Sequence, residues 1–320
     1  MERILDVVSR RRAIAGLAVA SATVASSAQV MADTHSTESP MTQTGSNKDT
    51  SKAVQRGYAS GPFGQIHYQD TVEGDIPLIL CHQSPMTSRQ YDRVYGLLRE
   101  RGIRAIGIDT PGFGMSDPPP GPPTISDYAA SIPAVLDHLG LESAHLCGHH
   151  TGTKVVTEAA IAYAERVQSL VLCSPAPMTL EEQQVYIDSS LAREKAFTGK
   201  KDGSHLADLY TQRVRWVENQ PDGLNLCTGY VIQALMGLGP FWYGHHAAFH
   251  YDAGAAMAKV TQPVLVFTNT GDTLYDMAGR TMEMFPHFTY AELTGGSAYI
   301  TDEMPEEWSD EVENYLKSLT

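Results

Sequence analysis

The sequence predicts an α/β fold: a mostly parallel, doubly wound sheet interrupted by an inserted helical lid. Three observations predict it. Continuous apolar runs recur, "IPLILCH", "IRAIGIDT", "AHLCG", "VQSLVLCSP" and "QPVLVFTNTGD". Segments of helical period separate them, as in "TSRQYDRVYGLLRERG" and "ISDYAASIPAVLDHLG". The alternation then stops near Met178, gives way to a helical, aromatic stretch, and resumes after Ala258. Buried strands spaced by amphipathic helices are the sequence form of a parallel sheet covered on both faces.

Taken in order, the chain opens on an address. Arg10-Arg11-Arg12 precedes a mildly apolar, Ala/Ser/Thr-rich run and then Val30-Met31-Ala32, a small-residue cleavage site. The arginine pair resembles a twin-arginine export signal, so residues 1–32 are expected to be removed and the mature chain to be periplasmic or secreted. Removal takes away four arginines and two acids, moving the net charge from −14 to −14 − 2 = −16. Residues 33–55 are Ser/Thr/Asn/Lys-rich without apolar period and are expected to form a disordered tether. Residues 56–177 and 259–320 are expected to make the core, and 178–258 the lid. A chain this acidic, with no basic cluster beyond its first dozen residues, does not suit nucleic acid or an anionic membrane. No later stretch is apolar enough to span a bilayer. The expected partner is a small-molecule substrate, and no cofactor is expected. Cys81, Cys147 and Cys173 each end a strand-like run, where small buried thiols pack well, and no C-x-x-C spacing suggests a metal site.

Sheets of this kind place their sites at the carboxyl ends of the strands, where His82, Asp109 and His150 fall. "HLCGHHTGTKV" has the shape of a G-x-S-x-G nucleophile elbow, a strained strand-to-helix turn, with His150 in the serine's place. Around it stand Cys81-His82-Gln83-Ser84-Pro85, Asp109-Thr110-Pro111-Gly112-Phe113-Gly114-Met115-Ser116-Asp117, Gly271-Asp272, and Gly295-Gly296-Ser297-Ala298-Tyr299. These motifs, in this order from about Gly64 to Thr320, resemble the α/β-hydrolase family. The resemblance implies a nucleophile at 150, an acid at 272 and a catalytic histidine at 298. The chain supplies His150, Asp272 and Ala298. A serine esterase is disfavoured because no hydroxyl stands at the elbow. A haloalkane dehalogenase or epoxide hydrolase is disfavoured because those relatives need an aspartate there.

The two replacements are complementary. Alanine at 298 vacates space beside Asp272, and the larger ring of His150 can reach into it. The expected result is a His–Asp dyad, a base whose tautomer is fixed by the carboxylate, acting on a small apolar or aromatic carbonyl or ester substrate. Backbone amides of Gln83 and Thr151 are expected to hold an oxyanion. Asp109 and Asp117 are read as structural turn acids. The lid stretch "GPFWYGHHAAFHYD" is expected to contribute Trp242, Tyr243, His246 and His250 to substrate binding, together with His82 from the strand end. Two other readings stand beside this one. His150 with His82, His246 and His250 is a donor set for a transition metal. A non-catalytic ligand-binding protein of hydrolase descent is the third. Hydrolysis, lyase chemistry and cofactor-free oxygenation are all open on these residues.

Overall fold

The computed structural model describes residues 54–319 apart from positions 219 and 221; the expected export signal and residues 33–53 of the tether lie outside the described residues. Eight strands form one sheet in the order β1-β2-β4-β3-β5-β6-β7-β8. They are β1 (Gln55–Gly61), β2 (Gly64–Asp70), β3 (Ile76–Cys81), β4 (Ile103–Ile108), β5 (Ala144–His149), β6 (Val167–Cys173), β7 (Val264–Asn269) and β8 (Thr289–Leu293). From β4 to β8 across the sheet every pairing is parallel; β2 joins β1 and β4 antiparallel.

Side chains along each parallel strand alternate between two cores. Ile79, Leu146, Leu170 and Leu172 face α2 (Ile125–Ala129), α3 (Ser131–Leu139) and α4 (Thr151–Ala162) through Ile132, Leu136, Val155 and Ala159. Leu78, Leu80, Cys147 and Val171 face α1 (Tyr95–Glu100) and the C-terminal helix through Leu98, Trp308, Val312 and Leu316. Period-two geometry with both faces buried is why these strands read as unbroken apolar runs. All four cysteines are free and buried.

Three local expectations are corrected. Gln55, placed in the tether by its composition, begins β1, and the β1–β2 hairpin escaped notice because few of its outward residues are apolar. "TSRQYDRVYGLLRERG" is one turn of 3-10 helix (Ser88–Tyr91) followed by the short α1, not a continuous helix. "ISDYAASIPAVLDHLG" is α2 and α3, where Pro133 is tolerated because it falls in the first turn of α3. Thr124 and Asp127 form a capping box that starts α2, and Gly140, at φ 66°, stops α3.

Between β6 and β7 the chain builds α5 (Leu180–Tyr186), α6 (Ala192–Lys195), α7 (Ser204–Val217), α8 (Gly223–Leu235), α9 (Tyr243–Phe249) and α10 (Ala253–Met257). The core continues as α11 (Tyr275–Met284), α12 (Ile300–Glu303) and α13 (Pro305–Lys317). The insertion is tied to the strand ends at several points. The Lys154 ammonium, buried on α4, donates to the Ala248 carbonyl at 2.7 Å, and burial pulls its pKa down to about 8. The Thr87 hydroxyl donates to Gln233 Oε1 at 3.0 Å, and Gly239 N–H to the Gly112 carbonyl at 2.9 Å. Tyr230 stacks on Tyr299 with centroids 3.9 Å apart, and its hydroxyl donates to Asp302 at 2.8 Å.

Burial raises the Asp302 carboxyl to about 6 from an ordinary 3.8, against the opposing pull of Tyr230 and Arg93. Well below pH 3.8 the carboxyl is neutral in folded and unfolded chains alike, and between 3.8 and about 6 the unfolded chain ionises it first. Above pH 6 the folded state alone carries a charge it has poorly solvated. Wild type should therefore lose stability relative to Asp302→Asn as pH rises through this window, by on the order of 2 kcal/mol. Urea midpoints of the two proteins at pH 4 and pH 7 measure it; a gap that does not widen at pH 7 contradicts it.

Candidate active site

His150 stands at the turn between β5 and α4 with φ 47° and ψ −104°, a backbone conformation costly for any residue with a side chain. The turn is held by the His150 amide donating to the Cys173 carbonyl and by Thr153 N–H returning to the His150 carbonyl, both at 3.0 Å. Its flanking glycines are steric necessities. A Cβ at Gly148 would stand 2.2 Å from the Gly152 carbonyl oxygen, and one at Gly152 would stand 2.1 Å from that of Cys81.

Asp272 follows β7 and is buried. It accepts from Leu274 N–H at 2.7 Å on Oδ1 and from the Ser174 hydroxyl at 3.0 Å on Oδ2. His150 Nε2 lies 3.0 Å from Oδ1 and 2.9 Å from Oδ2. An ionised carboxylate offers only lone pairs, so His150 carries its hydrogen on Nε2. Nδ1 is then left with its lone pair and has no partner among the described residues. Burial pushes the Asp272 carboxyl up, but the imidazoles of His150 and His149 more than offset this and hold it well below the usual carboxylate range.

Three residues also shape the site: His149, which the sequence reading takes as elbow packing without chemistry, and Gln90 and Ser174, which it passes over. His149 is buried with its ring 4.6 Å from that of His150, and its Nε2 lies 3.9 Å from Asp272 Oδ2. Burial lowers its pKa to about 4, so it is neutral near pH 7. Gln90 Nε2 donates to His149 Nδ1 at 2.7 Å. Ser174, which donates to Asp272, sits at the carboxyl end of β6, and the strand-end rule that singled out Asp109 and His150 would have found it too.

Several expectations are corrected. The Gln83 amide cannot serve an oxyanion, because it donates to Gln90 Oε1 at 2.9 Å; its side chain is also occupied, donating to the Ala298 carbonyl at 2.7 Å. Among the described residues, the Ser84 amide in that loop and the Thr151 amide at the elbow have no hydrogen-bond partner. His82 is not a substrate contact. It is 2% exposed, its Nδ1–H donates to the Gln83 carbonyl, and its Nε2 accepts from Thr110 N–H at 3.1 Å, so both ring nitrogens serve the loop. Asp109 accepts from Ser88 and Met115 amides and from His67, and Asp117 from Gln65 N–H.

The donor set of the alternative metal reading does not assemble. Among the described residues the one cluster of three potential ligands is His149, His150 and Asp272, without His82, His246 or His250. His246 and His250 do face one another, rings 4.4 Å apart, but His250 Nδ1 donates to the His246 carbonyl at 2.7 Å, closing α9. Trp242 and Tyr243 begin that helix, with Lys195 over the Trp242 ring at 4.8 Å. His245 pairs with Glu194.

A sequence profile described as the α/β-hydrolase fold matches residues 76–274. Haloalkane dehalogenase 2 of Mycobacterium bovis is 36% identical over 110 residues, 34% of this chain and 38% of that protein. A 2-hydroxy-6-oxononadienedioate/2-hydroxy-6-oxononatrienedioate hydrolase of Paraburkholderia phymatum is 37% identical over 112 residues, 34% of this chain and 39% of that protein. The chain thus matches less than two fifths of the length of these relatives. In structure it is similar to an esterase from Thermogutta terrifontis, with TM-score 0.69 at 18% identity over 83% of this chain and 99% of that one. An enol-lactonase from Burkholderia xenovorans gives TM-score 0.65 at 19% identity over 82% and 100%. The matched profile runs through five consecutive strands, β3 to β7, and includes both the elbow and Asp272, and the chain belongs to the α/β-hydrolase fold family.

Proposed function

We propose that this protein is a hydrolase in which His150 acts as the base, oriented by Asp272, on a small apolar or aromatic substrate bearing a carbonyl or ester. The observation that carries the reading is the position of the His150 ring. Its Nε2 is spent on Asp272, its Nδ1 is left with a free lone pair, and the amide of the next residue, Thr151, is without a partner. In this reading Nδ1 takes a proton from water as the water oxygen attacks the carbonyl carbon. The imidazolium that forms is stabilised by the Asp272 carboxylate, and the negative charge on the former carbonyl oxygen is met by the Thr151 amide. Nδ1–H then returns the proton to the departing group, so the ring ends as it began. The name of the Paraburkholderia relative, a hydrolase of oxo-dienedioates, supports a carbonyl substrate.

The insertion, in this proposal, acts as the lid over the site and offers Trp242, Tyr243, His246 and His250 to the substrate. The test is a panel of aryl esters and conjugated oxo acids assayed alongside a fluorophosphonate probe. Turnover without probe labelling is expected, since the probe reports an activated serine. Probe labelling, or tight binding of panel compounds with no turnover of any, sinks the reading. We also propose that the chain is exported by the twin-arginine route. Changing Arg10 and Arg11 to lysine should leave the precursor in the cytoplasm, read by fractionation; normal export of the double variant contradicts it.

A further inference from the structure

His149, His150 and Asp272 place two imidazoles and a carboxylate with their ligand atoms within 4.8 Å of one another, a donor set that suits first-row transition metals. A metal needs a lone pair on each ligand nitrogen. Whether His149 can offer one on Nε2 is decided two residues away from it. The Gln83 amide is a backbone N–H and can only donate, so the Gln90 atom 2.9 Å from it is the carbonyl oxygen. The Gln90 NH2 is therefore the group 2.7 Å from His149 Nδ1, and Nδ1 must accept. A neutral imidazole that accepts at Nδ1 holds its hydrogen on Nε2. That nitrogen is buried, has no hydrogen-bond partner, and faces Asp272 Oδ2 from 3.9 Å.

We propose that the Gln83–Gln90–His149 chain is a tautomer lock, which keeps a cluster with the shape of a metal site free of metal and turns His149 into an N–H donor aimed at Asp272. To bind a metal through Nε2, His149 would have to move its hydrogen to Nδ1, where it would meet the Gln90 NH2 head on. Turning the Gln90 amide to relieve that contact would set its NH2 against the Gln83 N–H instead. Either way two buried donors face each other, and the chain offers no third arrangement of these groups. The lock acts on His149 alone and stands whether or not His150 is the catalytic base.

The lock has a natural key. In Gln90→Glu a carboxylate accepts from the Gln83 amide and from His149 Nδ1–H together, the outer-shell arrangement that commonly supports a metal-bound histidine. The experiment uses the purified full chain. Long-range 1H–15N spectra of histidine-labelled wild type, with His149 assigned by its loss in His149→Gln, should show an unprotonated Nδ1 and a protonated Nε2. Titration with Co2+ should give no stoichiometric ligand-field bands in wild type. Gln90→Glu should gain affinity by about 10- to 100-fold, and His149→Gln in that background should remove the gain. A His149 that carries its hydrogen on Nδ1 overturns the proposal, as does wild type binding one equivalent of Co2+ through His149. A folded Gln90→Glu with no gain overturns it too, and the wild-type spectra decide the matter should that variant not fold.

Discussion

Replacing His150 with alanine is expected to lower kcat by at least about 10⁴-fold, with added imidazole restoring part of the loss. In a serine protease the removal of the base costs roughly 10⁶-fold in kcat, and the other imidazole at the elbow, His149, is buried with its Nδ1 already accepting from Gln90. Asp272→Asn should cost on the order of 10⁴-fold, as the matching change does in a serine-protease triad, because an amide can present an N–H to the ring and fix the wrong tautomer. The stability cost of His150→Ala should be small but real. Asp272 is buried and would lose one donor while keeping Ser174 and Leu274. Losing one hydrogen bond to a charged group costs about 1–3 kcal/mol, and the partly exposed position of His150 lets water replace it at the low end of that range. Steady-state kinetics with and without imidazole, beside a urea melt, separate the two effects. A His150→Ala variant that keeps full turnover would move the chemistry elsewhere in the site.

The largest loss of stability is expected at the two elbow glycines. Alanine at Gly148 puts its Cβ within 2.7 Å of three backbone atoms, and alanine at Gly152 drives one into the carbonyl of Cys81. Neither neighbour is a flexible side chain that can swing aside. The turn must open, and with it the contacts of α4 against β3 and β5. A cost of about 3 kcal/mol or more follows from overpacking of this kind, which corresponds to a fall on the order of 10 °C in Tm for a chain of this size. Gly279→Ala is the control. It lies inside α11 with nothing within 4 Å of its Cβ, and should stabilise by up to about 1 kcal/mol through helix propensity. Melting curves of the three variants are decisive; an unchanged Tm for Gly148→Ala would mean the elbow is looser than its geometry shows.

The same glycines explain how much of the molecule can be read from its letters. The parallel strands are legible because both faces are buried, so residues such as Leu78 and Ile79, which point to opposite cores, are both apolar. The β1–β2 hairpin is not, because its outward positions carry Arg56, Gln65 and other polar residues that blur the alternation. At the site, the replacements at 150 and 298 stand at motif positions and can be weighed against each other. What becomes of the Gln83 amide cannot be seen in the same way. It depends on the 3-10 turn at Ser88–Tyr91, which brings Gln90 back under the loop, and no periodicity announces a turn that short. His82 is illegible for a related reason: its position on the motif suggests a pocket, but Thr110 arrives from the next strand to claim its free nitrogen. Side-chain hydrogen bonds between loops are set by tertiary closure, and local sequence carries little trace of them.

Lys154 lies one turn beyond His150 on α4 and ends on the Ala248 carbonyl of α9; Tyr230 of α8 ends on Asp302 of α12. The inserted helices are thus fastened to the core at two separate places. In the proposed reading, where the insertion covers the site, a cover pinned at two places has no free edge to swing from. Traffic to His150 would then pass through gaps that open when individual side chains rotate, and the width of those gaps, rather than the travel of whole helices, would limit what enters. Such a cover works as a sieve, not as a door.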